Sequence, residues 1–136
     1  MDDYLKALCI ELHHIAKETE GKTLNTIYIG GGTPTTLTAK QLEKLLNVVD
    51  ELFLNEERGA ELLEYTVEAG RPDSITKEKL EVICSHPVTR ISVNPQTMQQ
   101  KTLDLVGRKH SVQAVKDIFH LARELGFDNI NMDLIA

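Results

Sequence analysis

Thr26-Ile27-Tyr28-Ile29-Gly30-Gly31-Gly32-Thr33-Pro34-Thr35 is the stretch that decides how the rest of the chain is read. Its first four residues, rich in β-branched and aromatic side chains, predict a short buried strand. Three glycines then end the strand and Pro34 stiffens the exit. Just beyond, Thr38 with Gln41 three positions on forms a capping box. Leu42, Leu45, Leu46, Val49, Leu52 and Phe53 follow at spacings of three and four, one apolar stripe of a helix. The unit is strand, glycine turn, helix.

The same grammar extends in both directions. Upstream, Leu5, Leu8, Cys9, Leu12, Ile15 and Ala16 predict a helix over residues 2–19, stopped near Gly21. Downstream, Tyr65-Thr66-Val67-Glu68 reads as a strand, and a helix from about Thr76 carries Leu80, Ile83 and Cys84 and ends before Pro87. A third strand is expected over residues 89–93. Thr97 with Gln100 suggests a second capping box for a short helix that Gly107 closes, and Ser111 caps a fifth helix ending at Gly126. Residues 130–135 read as the last strand, and the polar residues 55–61 as a connecting loop; neither a repeat nor a linker interrupts the series.

Uninterrupted alternation calls for parallel strands joined by right-handed crossovers. The expected fold class is therefore α/β: part of a TIM-like (β/α) barrel, with about four parallel strands and alternating helices. Four strands are too few to close a barrel whose eight-stranded form takes about 250 residues. The chain also stops straight after an apolar strand, so the expectation is a piece of a larger barrel with sequence missing from at least its C-terminal end.

Composition narrows the function. Apolar residues make up 41% of the 136, while aromatics are only 4% with no Trp, so Leu, Ile, Val and Ala must build the core. Fifteen Lys and Arg against 21 Asp and Glu leave a net charge of −6, which argues against a nucleic-acid surface, since phosphate binding draws on clustered cations. Apolar runs are far shorter than the roughly 20 residues a spanning helix needs. Met1-Asp2-Asp3 has the wrong sign for a signal peptide, so a cytoplasmic protein without a membrane partner is expected. Cys9 and Cys84 lack Cys-x-x-Cys spacing and are read as small buried apolar side chains. None of the five histidines falls in a metal-binding pattern, and none is assigned a role; His13, His14 and His120 are expected on helix surfaces.

Ligands of α/β sheets gather at the carboxyl ends of the strands. Those ends carry Gly30-Gly31-Gly32-Thr33, Glu68, Gln96 and Asp133, one polar group for each βα unit. Singly, each has a plainer reading: a tight turn, a solvated carboxylate, a loop-capping amide, an acid paired with Arg108 or Lys109. Their recurrence at corresponding points argues for a shared rim. The glycine run is not a Walker loop, because no Gly-Lys-Ser/Thr follows, and it lacks Gly-x-Gly-x-x-Gly spacing. What it offers is close backbone approach to a ligand, with an amino acid or a nucleoside moiety both open.

At this point Tyr28-Ile29-Gly30-Gly31-Gly32-Thr33-Pro34-Thr35 resembles the glycine motif on the second barrel strand of radical S-adenosylmethionine enzymes, in the version found in oxygen-independent coproporphyrinogen III oxidases. The resemblance continues through residues 67–73 (Val-Glu-Ala-Gly-Arg-Pro-Asp), 90–98 (Arg-Ile-Ser-Val-Asn-Pro-Gln-Thr-Met), 106–108 and 129–135, essentially the whole chain, and is most similar to the coproporphyrinogen dehydrogenase subgroup. It implies that residues 1–136 form the central part of a radical SAM core domain, incomplete at both ends. It also implies a [4Fe-4S] cluster on a Cys-x-x-x-Cys-x-x-Cys loop. No such motif stands in these residues, so the isolated chain is expected to be inactive and to supply no metal ligand.

Carried over by motif, the resemblance sets Gly31, Gly32 and Thr33 against S-adenosylmethionine and Glu68 against its ribose hydroxyls or amino group. Gln96, Arg108 and Asp133 would line the place of a second S-adenosylmethionine or the substrate, with Arg108 suited to clamp a carboxylate. The implied chemistry is reductive cleavage of S-adenosylmethionine to a 5′-deoxyadenosyl radical. Hydrogen is then removed from a propionate β-carbon, and loss of CO₂ and an electron leaves a vinyl group, converting coproporphyrinogen III to protoporphyrinogen IX in haem biosynthesis. An electron donor such as flavodoxin or ferredoxin is the implied partner. Two alternatives stand beside this reading: a related branch that binds and delivers haem, and a cofactor-free barrel fragment binding a small anionic metabolite.

Overall fold

The computed structural model describes residues 1–55 and 62–135. Of the loop expected over residues 55–61, all but Asn55 lies outside the described residues. Helix α1 (Asp2–Glu18) leads into β1 (Thr26–Ile29), α2 (Ala39–Phe53), β2 (Glu64–Gly70), α3 (Lys77–Cys84), β3 (Arg90–Val93), α4 (Gln100–Leu105), α5 (Val112–Glu124) and β4 (Ile130–Asn131). The strands form one sheet in the order β1-β2-β3-β4, every neighbouring pair parallel, as the alternation of elements requires.

The register sorts the strand residues onto two unlike faces. Tyr28 stands opposite Thr66, and Glu68 opposite Ser92. Because side chains alternate along a strand, Ile27, Ile29, Tyr65, Val67, Ile91 and Val93 share one face and Tyr28, Thr66, Glu68 and Ser92 the other. The first set joins Leu42, Leu46, Leu80 and Ile83 in the core, with Ala69 the extra residue at a shift in register between Glu68 and Gly70. Tyr65, Val67, Ile91, Leu42, Leu46, Leu80 and Ile83 are fully buried. At about 1.5–3 kcal/mol for each large apolar side chain taken out of water, this helix-covered face supplies most of the folding drive. The opposite face is polar, and it carries the site.

Local signals behave as their chemistry dictates in most places. The Thr38–Gln41 capping box forms in both directions, and Thr76 and Ser111 accept from the backbone N–H groups of Lys79 and Ala114. Gly126, just past α5, has φ +99°, the left-handed conformation expected there. The Thr97–Gln100 box is not made. Helix α4 starts later, behind Gln99, and the Gln100 side chain instead accepts from Val112 N–H (3.1 Å) and donates to Asp104 (2.8 Å). A long-range backbone donor outcompeted the local one.

Three further expectations are corrected. Strand β2 runs to Gly70, so Glu68 lies within the strand rather than at its tip. Strand β4 covers only Ile130–Asn131; beyond it, pairing continues as one isolated bridge between Gln96 and Leu134, with Gln96 held at φ +69°. Cys84 is exposed and Cys9 half-buried. Cys84 closes α3 and its thiol donates to Leu125 C=O (3.0 Å), a helix-end position that the apolar stripe does not reach.

Candidate functional site

The glycine turn is fixed from both sides. Gly31 and Gly32 take φ of +85° and +59°, values that side chains resist, and a Cβ on either would meet nothing within 4 Å. Their backbone therefore faces open space. Behind them, the single turn Pro34–Thr36 is tied to the sheet by buried Thr35, whose hydroxyl donates to Ala69 C=O and pairs with Ser74 Oγ (2.6 Å). Lys79 Nζ adds bonds to Thr35 C=O (2.5 Å) and Ser74 C=O (2.8 Å), and the desolvation this entails lowers its pKa. The bend after β1 is thus anchored on β2 and α3.

Gly30 has a different constraint. A Cβ there would stand 2.2 Å from a Tyr28 ring carbon and 2.9 Å from Glu68 Oε2. Only glycine lets that ring and that carboxylate close over the turn. Desolvation, then the charges of Glu68 and Asp133, raise the Tyr28 phenol pKa, although the ring is largely exposed. The charge of Asp133 thus acts on the same phenol as that of Glu68.

Glu68 is the junction of three strands' worth of structure. Its Oε2 accepts from Gly31 N–H (3.3 Å) and its Oε1 from Asn94 Nδ2 (3.3 Å). One carboxylate thus links the bend after β1 to the residue after β3. Each oxygen keeps a further lone pair for a ligand donor.

A cleft of about 550 Å³ opens beside it, lined by Gly32, Thr33, Thr36, Glu68, Gly70, Arg71, Asn94, Gln96 and Arg108. An adjoining cleft of about 410 Å³ shares Arg71, Gln96 and Arg108 and adds Lys109 and His110. Of the residues singled out from sequence, Gly32, Thr33, Glu68, Gln96 and Arg108 come together here. Gly31 reaches the cleft only through its bond to Glu68; it lines instead a small apolar pocket with Tyr4, Leu5, Leu8 and Leu37. Asp133 lies outside the cleft. Its carboxylate accepts from Asn131 Nδ2 (2.8 Å) rather than from Arg108 or Lys109, while its backbone C=O accepts Gln96 N–H (3.1 Å). Gln96 is held in the left-handed region at φ +69°, alone among the described non-glycine residues. Strain of that kind clusters at functional sites.

Arg71 and Asn94 also belong to the site, and sequence reasoning passed over both. Each lies inside a quoted motif, but neither sits at the last residue of a strand. Gly70, at φ +72° and with a Cβ position 2.9 Å from Thr33 Cγ2, turns the chain so that Arg71 enters both clefts.

Chemically, the arrangement pairs a hydrogen-bonded carboxylate with two guanidinium groups and an open glycine backbone. That set suits a ligand bearing hydroxyl or amino donors at one end and a carboxylate at the other. The molecule is of the α/β type whose ligand site lies beyond the carboxyl ends of parallel strands. The comparisons agree with that class and define it further. The family model described as the radical SAM superfamily matches residues 9–136. Over 112 residues the chain is 46% identical to the oxygen-independent coproporphyrinogen-III oxidase-like protein HemZ of Bacillus subtilis, covering 82% of this chain and 22% of that one. Over 135 residues it is 38% identical to the heme chaperone HemW of the same organism, covering 99% and 35%. The solved structure of coproporphyrinogen III oxidase HemN from Escherichia coli, reported as a radical SAM enzyme, superposes with a TM-score of 0.83 at 30% identity, over 98% of this chain and 30% of that one. The chain belongs to the radical SAM superfamily, on the branch of the coproporphyrinogen III oxidase-like proteins. It spans between 22% and 35% of the length of the curated relatives just named.

The superfamily implies S-adenosylmethionine and an iron–sulfur cluster. The cleft's donors and acceptors fit the first: Glu68 for hydroxyls, the arginines for a carboxylate, the bare glycine backbone for close approach. The second has no fit here. Among the described residues no group of three or more His, Cys, Asp or Glu is placed to hold a metal, and Cys9 and Cys84 lie on different helices. Nor is any described helix long and apolar enough to cross a membrane.

Proposed function

We propose that this chain forms an S-adenosylmethionine-binding part of an oxygen-independent coproporphyrinogen III oxidase. The reading is supported above all by the convergence of Gly32, Thr33, Glu68, Gln96 and Arg108 on one cleft at the polar face of the sheet. Glu68 would accept from the ribose hydroxyls, its orientation already fixed by Gly31 and Asn94. Gly32 and Thr33 would lie against the methionine moiety, with Gly31 behind them holding Glu68. Arg108 and Arg71, flanking Gln96, would clamp a carboxylate of a second S-adenosylmethionine or a propionate of the porphyrinogen. Asp133 completes the polar rim outside the cleft. When bound beside a reduced cluster, S-adenosylmethionine supplies a carbon-centred radical for hydrogen abstraction. The chain's own share is positioning: each group sits on a strand or on a turn tied to one, so the geometry is set before a ligand arrives.

A second reading, haem delivery without turnover, is favoured by the 38% identity with a heme chaperone. The full-length protein, reconstituted anaerobically with an electron donor such as flavodoxin or ferredoxin, separates the two. Formation of vinyl product from coproporphyrinogen III is the expected result. Tight haem binding with no vinyl product would assign the protein to haem delivery instead.

A further inference from the structure

Asn94 is placed oddly for a residue with only a packing role. It follows β3 directly, is 8% exposed, and its backbone N–H is already used by Gly70 C=O (2.9 Å). Its side-chain Nδ2 donates to Glu68 Oε1 at 3.3 Å, while its Oδ1 is buried without a hydrogen-bond partner. The orientation of the amide is dictated by its neighbour. Flipped, the amide would set its oxygen against a carboxylate oxygen, two acceptors with no proton between them. One end of this side chain therefore serves Glu68 and the other goes unpaired, an arrangement that folding alone disfavours.

We infer that Asn94 is a positioning residue: it holds the Glu68 carboxylate, from the side opposite Gly31, in the orientation that receives the ligand's hydroxyl donors. The inference rests on the reading of Glu68 as a ribose acceptor. The geometry gives each carboxylate oxygen its own tether, Oε2 to the glycine bend and Oε1 to Asn94. Without the second tether the carboxylate pivots about its Gly31 contact and presents its free lone pairs in many directions, so affinity falls although the acceptor is still present.

An acid in place of the amide makes the role measurable through pH. In Asn94→Asp the introduced carboxyl group, while protonated, still donates to Glu68 and reproduces the native contact. Once that shared proton is lost, two carboxylates face each other at hydrogen-bond distance and repel. Affinity in this variant should decline as pH rises, where the wild type shows no such step.

The test measures S-adenosylmethionine binding by calorimetry on the full-length reconstituted protein between pH 5.5 and 8.5, with thermal melts of each ligand-free variant alongside. The expected results are a roughly tenfold weaker affinity for Asn94→Ala, the worth of one hydrogen bond to a charged group, and a pH-dependent affinity for Asn94→Asp that disappears when Glu68→Gln is added. Wild-type affinity in both variants across the pH range would overturn the inference while leaving the S-adenosylmethionine reading intact. Weaker binding in Asn94→Ala that follows its melting temperature, with no pH step in Asn94→Asp, would also overturn it, by making Asn94 merely structural. Absence of wild-type binding would remove the reading of Glu68 itself and this inference with it.

Discussion

Two clusters of polar side chains sit at opposite ends of the same sheet and do opposite things. At the carboxyl end, Glu68 is half-buried, bonded by Gly31 and Asn94, and open to a cleft. At the amino end, Asp50 on α2 receives a 2.6 Å bond from His86 Nδ1, beyond α3, and lies against Tyr65, the first core residue of β2. Burial, then the Asp50 charge, push the Tyr65 phenol far above its ordinary pKa, yet neither the Tyr65 hydroxyl nor Asp50 Oδ1 makes a hydrogen bond of standard geometry. Both clusters join helix or turn to strand through one carboxylate. The use of the oxygens separates them: Asp50, its side chain still 24% exposed, commits Oδ2 to the nearly buried His86 and so ties α2 to the turn beyond α3, while the carboxyl-end group fronts a cleft and keeps lone pairs for a visitor.

The largest effect that tests this contrast is loss of binding. Glu68→Ala should weaken S-adenosylmethionine affinity about a hundredfold, roughly 2.7 kcal/mol for two hydrogen bonds to a charged group, and lower the melting temperature as well, because Asn94 and Gly31 lose their partner. Calorimetry beside a thermal melt decides it, and a variant that binds normally but melts early would invert the comparison. Asp50→Ala should act on stability alone. Leaving the nearly buried His86 side chain without its acceptor should cost about 2 kcal/mol in urea unfolding, with affinity of the folded protein changed by less than about twofold.

Gly70→Ala falls between the two ends. The left-handed backbone at φ +72° costs an L-residue about 1–2 kcal/mol, and the new Cβ would press on Thr33 at 2.9 Å. Stability and affinity should therefore drop together, which paired melts and titrations would register. Thr38→Ala removes the N-terminal cap of α2, which follows β1 at the carboxyl end of the sheet. A loss of about 1 kcal/mol is expected, with unchanged affinity; a binding defect would extend the site into that cap.

The smallest effect is in acid. Glu64, on the polar face at the amino end of β2, has its pKa lowered, first by the Thr66 hydroxyl and then by Arg90. A folded-state pKa below the unfolded one contributes stability above the usual carboxylate range and loses it as pH falls through the folded value. Unfolding free energies measured from neutral to acid pH should fall less steeply in Glu64→Gln than in wild type.

Much of this was written in the linear chain. Apolar stripes at helical spacing, the Thr38, Thr76 and Ser111 caps, and the alternation of strand with helix are local quantities, so they led directly to parallel strands and to the motifs shared with the family. Glu68, Gln96 and Arg108 were legible because each lies inside a quoted motif close to an expected strand end or a glycine. Asn94 and Arg71 were not, since what makes them part of the site is a register shift after Glu68 and a left-handed Gly70, neither of which a sequence period reports. The Thr97–Gln100 box was misread for the same kind of reason: Gln100 found a better partner in Val112 N–H, twelve residues away in sequence. Sequence by itself determined which elements form and which faces are apolar, because those follow from the preferences of neighbouring residues. Only the tertiary structure decided which carboxylate is committed to a nearly buried histidine and which fronts a cleft, because the shape of a packed surface belongs to no residue alone.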